Sequence, residues 1–241
     1  MARIFSYGRR QMYRSLNAEH IIRTIEQLRD RVAERFPGSG LSRVAAELHQ
    51  ISHEAVARSQ WIARPLLALR IGVGLLVLVL VPTILLVLVN VKISKMWESF
   101  ADFVQAIDAG INDVVFVGIA IFFLSTLEGR IKRRRALKAL HELRALAHII
   151  DMHQLTKDPQ VITSPGPSTP SSPKRTMTDF ELSRYLDYCS EMLSLIGKVA
   201  ALYVQRFDDP VALSAVDQIE DLTTGLSRKI WQKIMLINEG R

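Results

Sequence analysis

A single cysteine, Cys189, stands in a chain of 241 residues. One thiol can make neither an intrachain disulfide nor a thiolate metal cluster, and a reducing compartment fits that usage. No Asn-Gly or Asp-Gly turn separates two alternating apolar runs, so the commonest hairpin signal is absent and strands find little support. There is also no Gly-rich phosphate loop, no Gly-x-Ser-x-Gly elbow and no His-Glu-x-x-His pair. Catalysis therefore has no positive warrant, and no cofactor or catalytic residue is expected. What the chain has instead is long 3.6-residue periodicity broken by Gly and Pro, the pattern of an all-α protein.

Charge is missing altogether from residues 71–91 (IGVGLLVLVLVPTILLVLVNV). About twenty apolar residues in a helix cross a hydrocarbon core of about 30 Å, so this run predicts a first membrane span. Pro82 within it removes one backbone hydrogen bond and frees the Leu78 carbonyl, for which the Thr83 hydroxyl is the nearest compensation. A second apolar run, Val114 to Leu127, is too short alone, and extending it back to about Ile107 brings in Asp108, Asn112 and Asp113. An ionisable group in a span suggests a pore or ion site. The same residues also suit a wet headgroup zone or a helix N-terminus, where carboxylates are favoured. Between the spans, Lys92 to Ile107 places Ile93, Met96, Trp97, Phe100, Phe103 and Val104 at helical spacing, which predicts an amphipathic connecting helix.

Basic residues cluster on one side of this region. Arg64 and Arg70 precede the first span and Arg130, Lys132, Arg133, Arg134 and Arg135 follow the second, against Lys92 and Lys95 in the connection. The positive-inside rule then puts both termini on the cytoplasmic side, and the run RIKRRR is expected to stop transfer and to contact anionic lipid headgroups. Nucleic acid is not expected as a partner, because no aromatic platform accompanies the run. The first fourteen residues alternate Arg with aromatics and hold no acid, as a lipid-surface arm or a mitochondrial presequence does. The compartment expected is a bacterial inner membrane, with the mitochondrial inner membrane as the alternative.

Outside the spans, Asn17 is a predicted cap for a helix whose face is Ile21, Ile22, Ile25, Leu28, Val32 and Phe36. A second helix from about Ser42 carries Val44, Ala45, Leu48, Ile51, Ala55, Val56 and Ile62 and stops before Pro65, giving an N-terminal helical hairpin within 1–65. The membrane region is 66–128. A stalk helix over 129–157 follows from Leu137, Leu140, Leu143, Ala147 and Ile150, then a Pro/Ser/Thr linker over 158–177 that suits a flexible tether. Thr178 to Glu181 spells a capping box for a C-terminal hairpin, 178–241. Leu182, Cys189, Ile196 and Tyr203 repeat every seven residues with Leu186, Leu193 and Ala200 between them, as in a coiled coil or bundle helix. Asp209 and Pro210 start the last helix, whose face is Val216, Ile219, Leu226, Ile230, Ile234 and Ile237, broadened by Trp231. One hairpin cannot bury such faces alone, so it must pack on the stalk, the first hairpin or another copy, which makes a homo-oligomer an expected state.

Two histidine groups have spacings that permit metal, His49 with His53 and His148 with Asp151 and His153, but i, i+4 histidines on a charged helix usually form a solvated face, and no metal site is expected. Arg14–His20, Arg43–His49 and Arg135–His141 each fit a loose Arg-x(4 to 6)-His spacing that resembles one in a family of helical ribonucleases; fits at three histidines in one Arg-rich chain are what chance supplies. The sequence thus reads as a two-span α-helical integral membrane protein with a cytosolic helical bundle. The expected role is a scaffold or adaptor binding a cytosolic protein, with a subunit of an oligomeric ion channel as the alternative.

Overall fold

In the computed structural model, residues 15–90, 100–157, 169–171 and 176–239 are described. Every regular element among them is a helix: α1 (Ala18–Arg35), α2 (Gly40–Ala63), α3 (Leu67–Asn90), α4 (Phe100–Leu155), α5 (Asp179–Val204) and α6 (Pro210–Glu239). The all-α class is therefore shown. The basic arm, residues 91–99 of the connection and most of the linker lie outside the described residues. The chain divides into two compact units, residues 64–134 and the remainder.

The larger unit is a helical bundle made of α1, α2, the α4 segment from Arg135 onward, α5 and α6. Each helix starts where local chemistry dictates. The Asn17 side chain accepts hydrogen bonds from the backbone N–H groups of Glu19 and His20 at 2.9 and 3.3 Å. Thr178 and Glu181 form a reciprocal capping box, and Asp209 accepts from the N–H groups of Val211 and Ala212 at 3.1 and 3.0 Å, with Pro210 at the first helical position. These contacts satisfy amide donors that the first turn leaves unpaired. Between α1 and α2 the chain turns through Gly38, whose φ of +67° belongs to the left-handed region that glycine enters at no steric cost. Gly40 sits directly against the His153 imidazole, so a side chain there would require that ring to move aside.

The bundle core is continuous. Ile25, Leu28 and Val32 of α1, Leu41 and Leu48 of α2, Leu140, Leu143 and Ile150 of α4, Leu186, Met192, Leu193 and Ile196 of α5, and Ile230 of α6 are all essentially inaccessible. α5 packs along α6 and against both α1 and α2. Polar links cross the same interfaces. Arg31 of α1 pairs with Glu191 of α5 at 2.5 Å, and the Lys233 ammonium of α6 donates to the backbone carbonyls of Gln154 and Lys157 at 2.9 and 3.3 Å, closing the C-terminus of α4. A cation at a helix C-terminus also meets the negative end of its dipole.

Two sequence expectations change here, and an alternative left open by the sequence closes. The α4 segment beyond Arg135 is a core helix of the bundle rather than a projecting stalk, because its apolar stripe is covered by its neighbours. The C-terminal hairpin finds its cover inside the chain, so its faces need no second copy. Trp231 does not broaden the α6 core face; it is 55% exposed, since Ile230 and Ile234 already fill the contact.

The smaller unit holds α3 and the first part of α4, two helices long and apolar enough to cross a membrane. α3 has no polar face, so its surface cannot be divided between a core and water. Its leucines and valines point outward: Leu78 is 67% exposed. Thr83 donates to the Val79 carbonyl at 2.8 Å, one position on from the Leu78 carbonyl that Pro82 frees, and α3 runs through the proline without a break. Ser125 and Thr126 likewise donate to the carbonyls of Ile121 and Phe123. Such back-bonding gives each hydroxyl a partner within its own helix, as a helix crossing a membrane would require. The described part of the connecting segment, from Phe100, belongs to α4 itself and is not a separate amphipathic helix.

Candidate functional site

The predicted pore residues sit about two to four turns into α4. Asp108 and Asn112 are exposed and linked by a long contact of 3.5 Å from the Asn112 amide to the Asp108 carboxylate. Asp113 is on the same helix, and its side chain lies outside the described residues.

The basic run resolves into individuals with different roles. Arg130 lies over the Phe123 ring at 5.0 Å and is exposed, as is Arg134. Arg133 is half-buried. Lys132 departs from the expectation of a lipid-facing cation. It is buried, at 8% exposure, with its ammonium 2.7 Å from the Glu128 carboxylate one turn back. Glu128 also receives Arg70 at 2.8 Å and the Leu66 backbone N–H at 3.3 Å. It therefore ties the start of α3 to α4 just past the second apolar run. The Arg70 guanidinium and then the Lys132 ammonium hold its carboxyl down at about 2. The sequence held a signal for this carboxylate, which follows the second span and precedes Lys132 at i, i+4, but Arg70 lies too far away in the chain for spacing to link it.

A second arrangement, within the bundle, joins α2 to α4. Ala57, Arg58, Trp61 and Ile62 face Arg135, Lys138, Ala139 and Glu142 across a groove of about 390 Å³. The Arg135 guanidinium stacks on the Trp61 indole, 3.8 Å from the ring centroid, a close cation–π contact. Arg58 is held between Glu54 at 2.6 Å and Glu142 at 2.5 Å. Behind it the Tyr203 phenol is pushed up to about 12 by burial. Arg135 alone of these residues was a binding candidate from the sequence, Ile62 and Tyr203 having been read as core positions. Trp61 and Lys138 were missed, because nothing local marks residues on two distant segments as neighbours.

The bundle's other reactive groups have structural surroundings. Burial pushes the Cys189 thiol up to about 12 and raises the Tyr185 phenol as well, so neither is a nucleophile near neutrality. His49 and His53 approach to 3.3 Å between their Nε2 atoms, and His49 is lowered by burial and then by the Arg29 guanidinium, which lies 3.2 Å from its Nδ1. Asp151 accepts from Gln154 at 2.6 Å while His153 packs on Gly40, so the stalk group does not converge. Among the described residues no three His, Cys, Asp or Glu side chains gather into a metal-ligating set.

Compared with known protein families, with characterised proteins and with solved structures, the chain finds no match. The class defined by the fold is thus an all-α chain with two helices that meet the length and apolarity of membrane spans.

Proposed function

We propose that the chain is a two-span membrane protein whose helical bundle is a scaffold that binds a protein partner on the cytoplasmic face. The observation that carries the reading is the contrast within the bundle. Its thiol and two of its phenols, Cys189, Tyr185 and Tyr203, are buried in the core, whereas large apolar side chains stay on its surface: Phe180 at 51% exposure, Trp231 at 55% and Met235 at 56%. Trp231 and Met235 are one turn apart on α6, and apolar and aromatic side chains of this kind are enriched at the cores of protein interfaces. The positive residues flanking the spans support cytoplasmic termini. The test is a photo-crosslinking amino acid at position 231 of the full chain in cells. A discrete protein adduct, lost when the crosslinker sits at exposed Lys229 instead, supports the reading; no protein adduct at position 231 overturns it.

The alternative is a ring of copies enclosing a water path, supported by Asp108 and Asn112 exposed in the N-terminal part of α4. Two spans cannot enclose a channel alone, so the mass of the intact protein in lipid nanodiscs separates the readings. Four or more copies, together with a current that changes on Asp113→Asn, would put the channel first, and a monomer or dimer removes it.

A further inference from the structure

We propose that the groove between α2 and α4, walled by Trp61 and headed by Arg135 and Lys138, binds a phosphate group, supplied by the headgroup of an anionic lipid. The proposal rests on the membrane reading above for the source of the phosphate, and on the groove itself for the chemistry.

Charge in the groove is unevenly spent. Arg58 is neutralised by two carboxylates, Glu54 and Glu142. Glu142, the only acid lining the groove, is thereby turned toward Arg58. Arg135 and Lys138 are both exposed and, among the described residues, neither is paired with a carboxylate. The local balance therefore favours an anion from outside the chain.

Stacking on Trp61 orients the cation. With one face of the guanidinium on the indole at 3.8 Å, its N–H edges remain directed away from the ring, and a planar fork held in this way matches two phosphate oxygens. An ammonium three residues further on the same helix lies on the same side and supplies a second positive charge. Less of the side-chain entropy is then lost on binding than for a free surface arginine.

The remaining lining points to a lipid rather than a bare ion. Trp61, Ala57, Ile62 and Ala139 give an apolar wall beside the cations, and the groove volume lies within the range of about 300–1,000 Å³ typical of small-molecule sites. A glycerophosphate headgroup has the same division, an anionic phosphate next to an apolar stem. Both segments are also close in sequence to the spans. Trp61 comes ten positions before Ile71, and Arg135 eight after Leu127. Trp and Arg are the residues expected where a chain meets headgroups.

The test uses the full chain with Trp97→Phe and Trp231→Phe, so that Trp61 is the sole tryptophan, in phosphatidylcholine nanodiscs with rising phosphatidylglycerol. The expected result is a saturable change in Trp61 emission. It should weaken at least about tenfold in Arg135→Gln/Lys138→Gln and by an intermediate amount in Arg135→Lys, which keeps the charge but not the fork, while Arg64→Gln leaves it unchanged. The thermal midpoint of each variant checks folding, and Lys138→Gln alone serves if Arg135→Gln does not fold. An equal response in the double variant and the parent overturns the proposal, as does a Trp61 indifferent to both phosphatidylglycerol and inorganic phosphate. A response to inorganic phosphate in detergent but not to phosphatidylglycerol retains the phosphate site and overturns the lipid as its source. If the chain is extracted from membranes by carbonate, the membrane reading fails by itself, and the inorganic phosphate titration still decides the groove.

Discussion

The two units of this protein distribute their side chains in opposite ways. In the bundle, Leu143 and Ile196 are wholly buried, and among the described residues Asp209, which caps α6, is the one charged side chain buried with them. In residues 64–134, Phe116 is 71% exposed and Ile119 60%, while the one buried residue among those described is a lysine, Lys132. Both patterns follow from the same physics with a different solvent. Water drives apolar groups together and leaves charges outside, whereas hydrocarbon accepts apolar groups anywhere and penalises every unpaired charge. A region that turns leucines out and encloses a lysine against a carboxylate has the distribution that suits a lipid surround, in keeping with two helices long and apolar enough to cross a membrane.

The sharpest way to break this comparison is to make the same change in both units. Leu143→Ala should leave a cavity in the bundle and cost about 2–5 kcal/mol, read as a lower urea midpoint in detergent. Leu78→Ala, whose side chain is exposed, should leave the bundle midpoint where it was. An equal loss at Leu78 would mean that α3 is packed against another copy.

Reactivity gives the next contrast. Cys189 is fully buried in the bundle core, so a water-soluble maleimide should label it more than about a hundredfold more slowly in the native chain than in denaturant. A cysteine placed at exposed Ser214 should react at the denatured rate under both conditions. Fast labelling of native Cys189 would show that α5 opens readily.

At the junction, Glu128→Ala should cost about 1–3 kcal/mol, because it leaves the buried Lys132 ammonium without its carboxylate. The pH dependence has a definite sign. The folded carboxyl sits at about 2, below the ordinary value of 4.5, so the contribution is complete above about 4.5 and is lost as pH falls toward 2. The difference in thermal midpoint between wild type and Glu128→Ala should therefore shrink with acidification over that window. A gap that stays constant to pH 2 would show that packing, not the ion pair, holds the ends together.

The smallest expected effect is at a helix start. Thr178→Ala removes the capping-box hydroxyl that accepts from the Glu181 N–H at 3.2 Å and should cost about 1 kcal/mol of bundle stability. Thr126→Ala, where the lost hydroxyl bonds only its own helix at the Phe123 carbonyl, should leave the bundle unchanged.

Periodicity carried much of the bundle. Leu182, Leu186, Cys189, Leu193, Ile196, Ala200 and Tyr203 all come out buried, as do the six α6 positions from Val216 to Ile237 read from the same spacing. The caps at Asn17, Thr178 and Asp209 were equally readable, since each depends on atoms two or three residues apart. Trp231 was misread because a helix face does not announce how wide its neighbour is. Lys132 was misread because a lysine beside a span looks the same whether it meets a headgroup or Glu128.

By itself, then, the sequence determined which segments are helical, where the capped helices start, and which two runs are the most apolar, because these depend on contacts within a few residues along one helix. The tertiary structure alone decided that the α4 segment after Arg135 is a core helix, that the C-terminal hairpin is covered by its own chain, and that Trp61 stacks on Arg135. Those are facts about which helical faces meet, and a periodic pattern states that a face needs a partner without naming the partner.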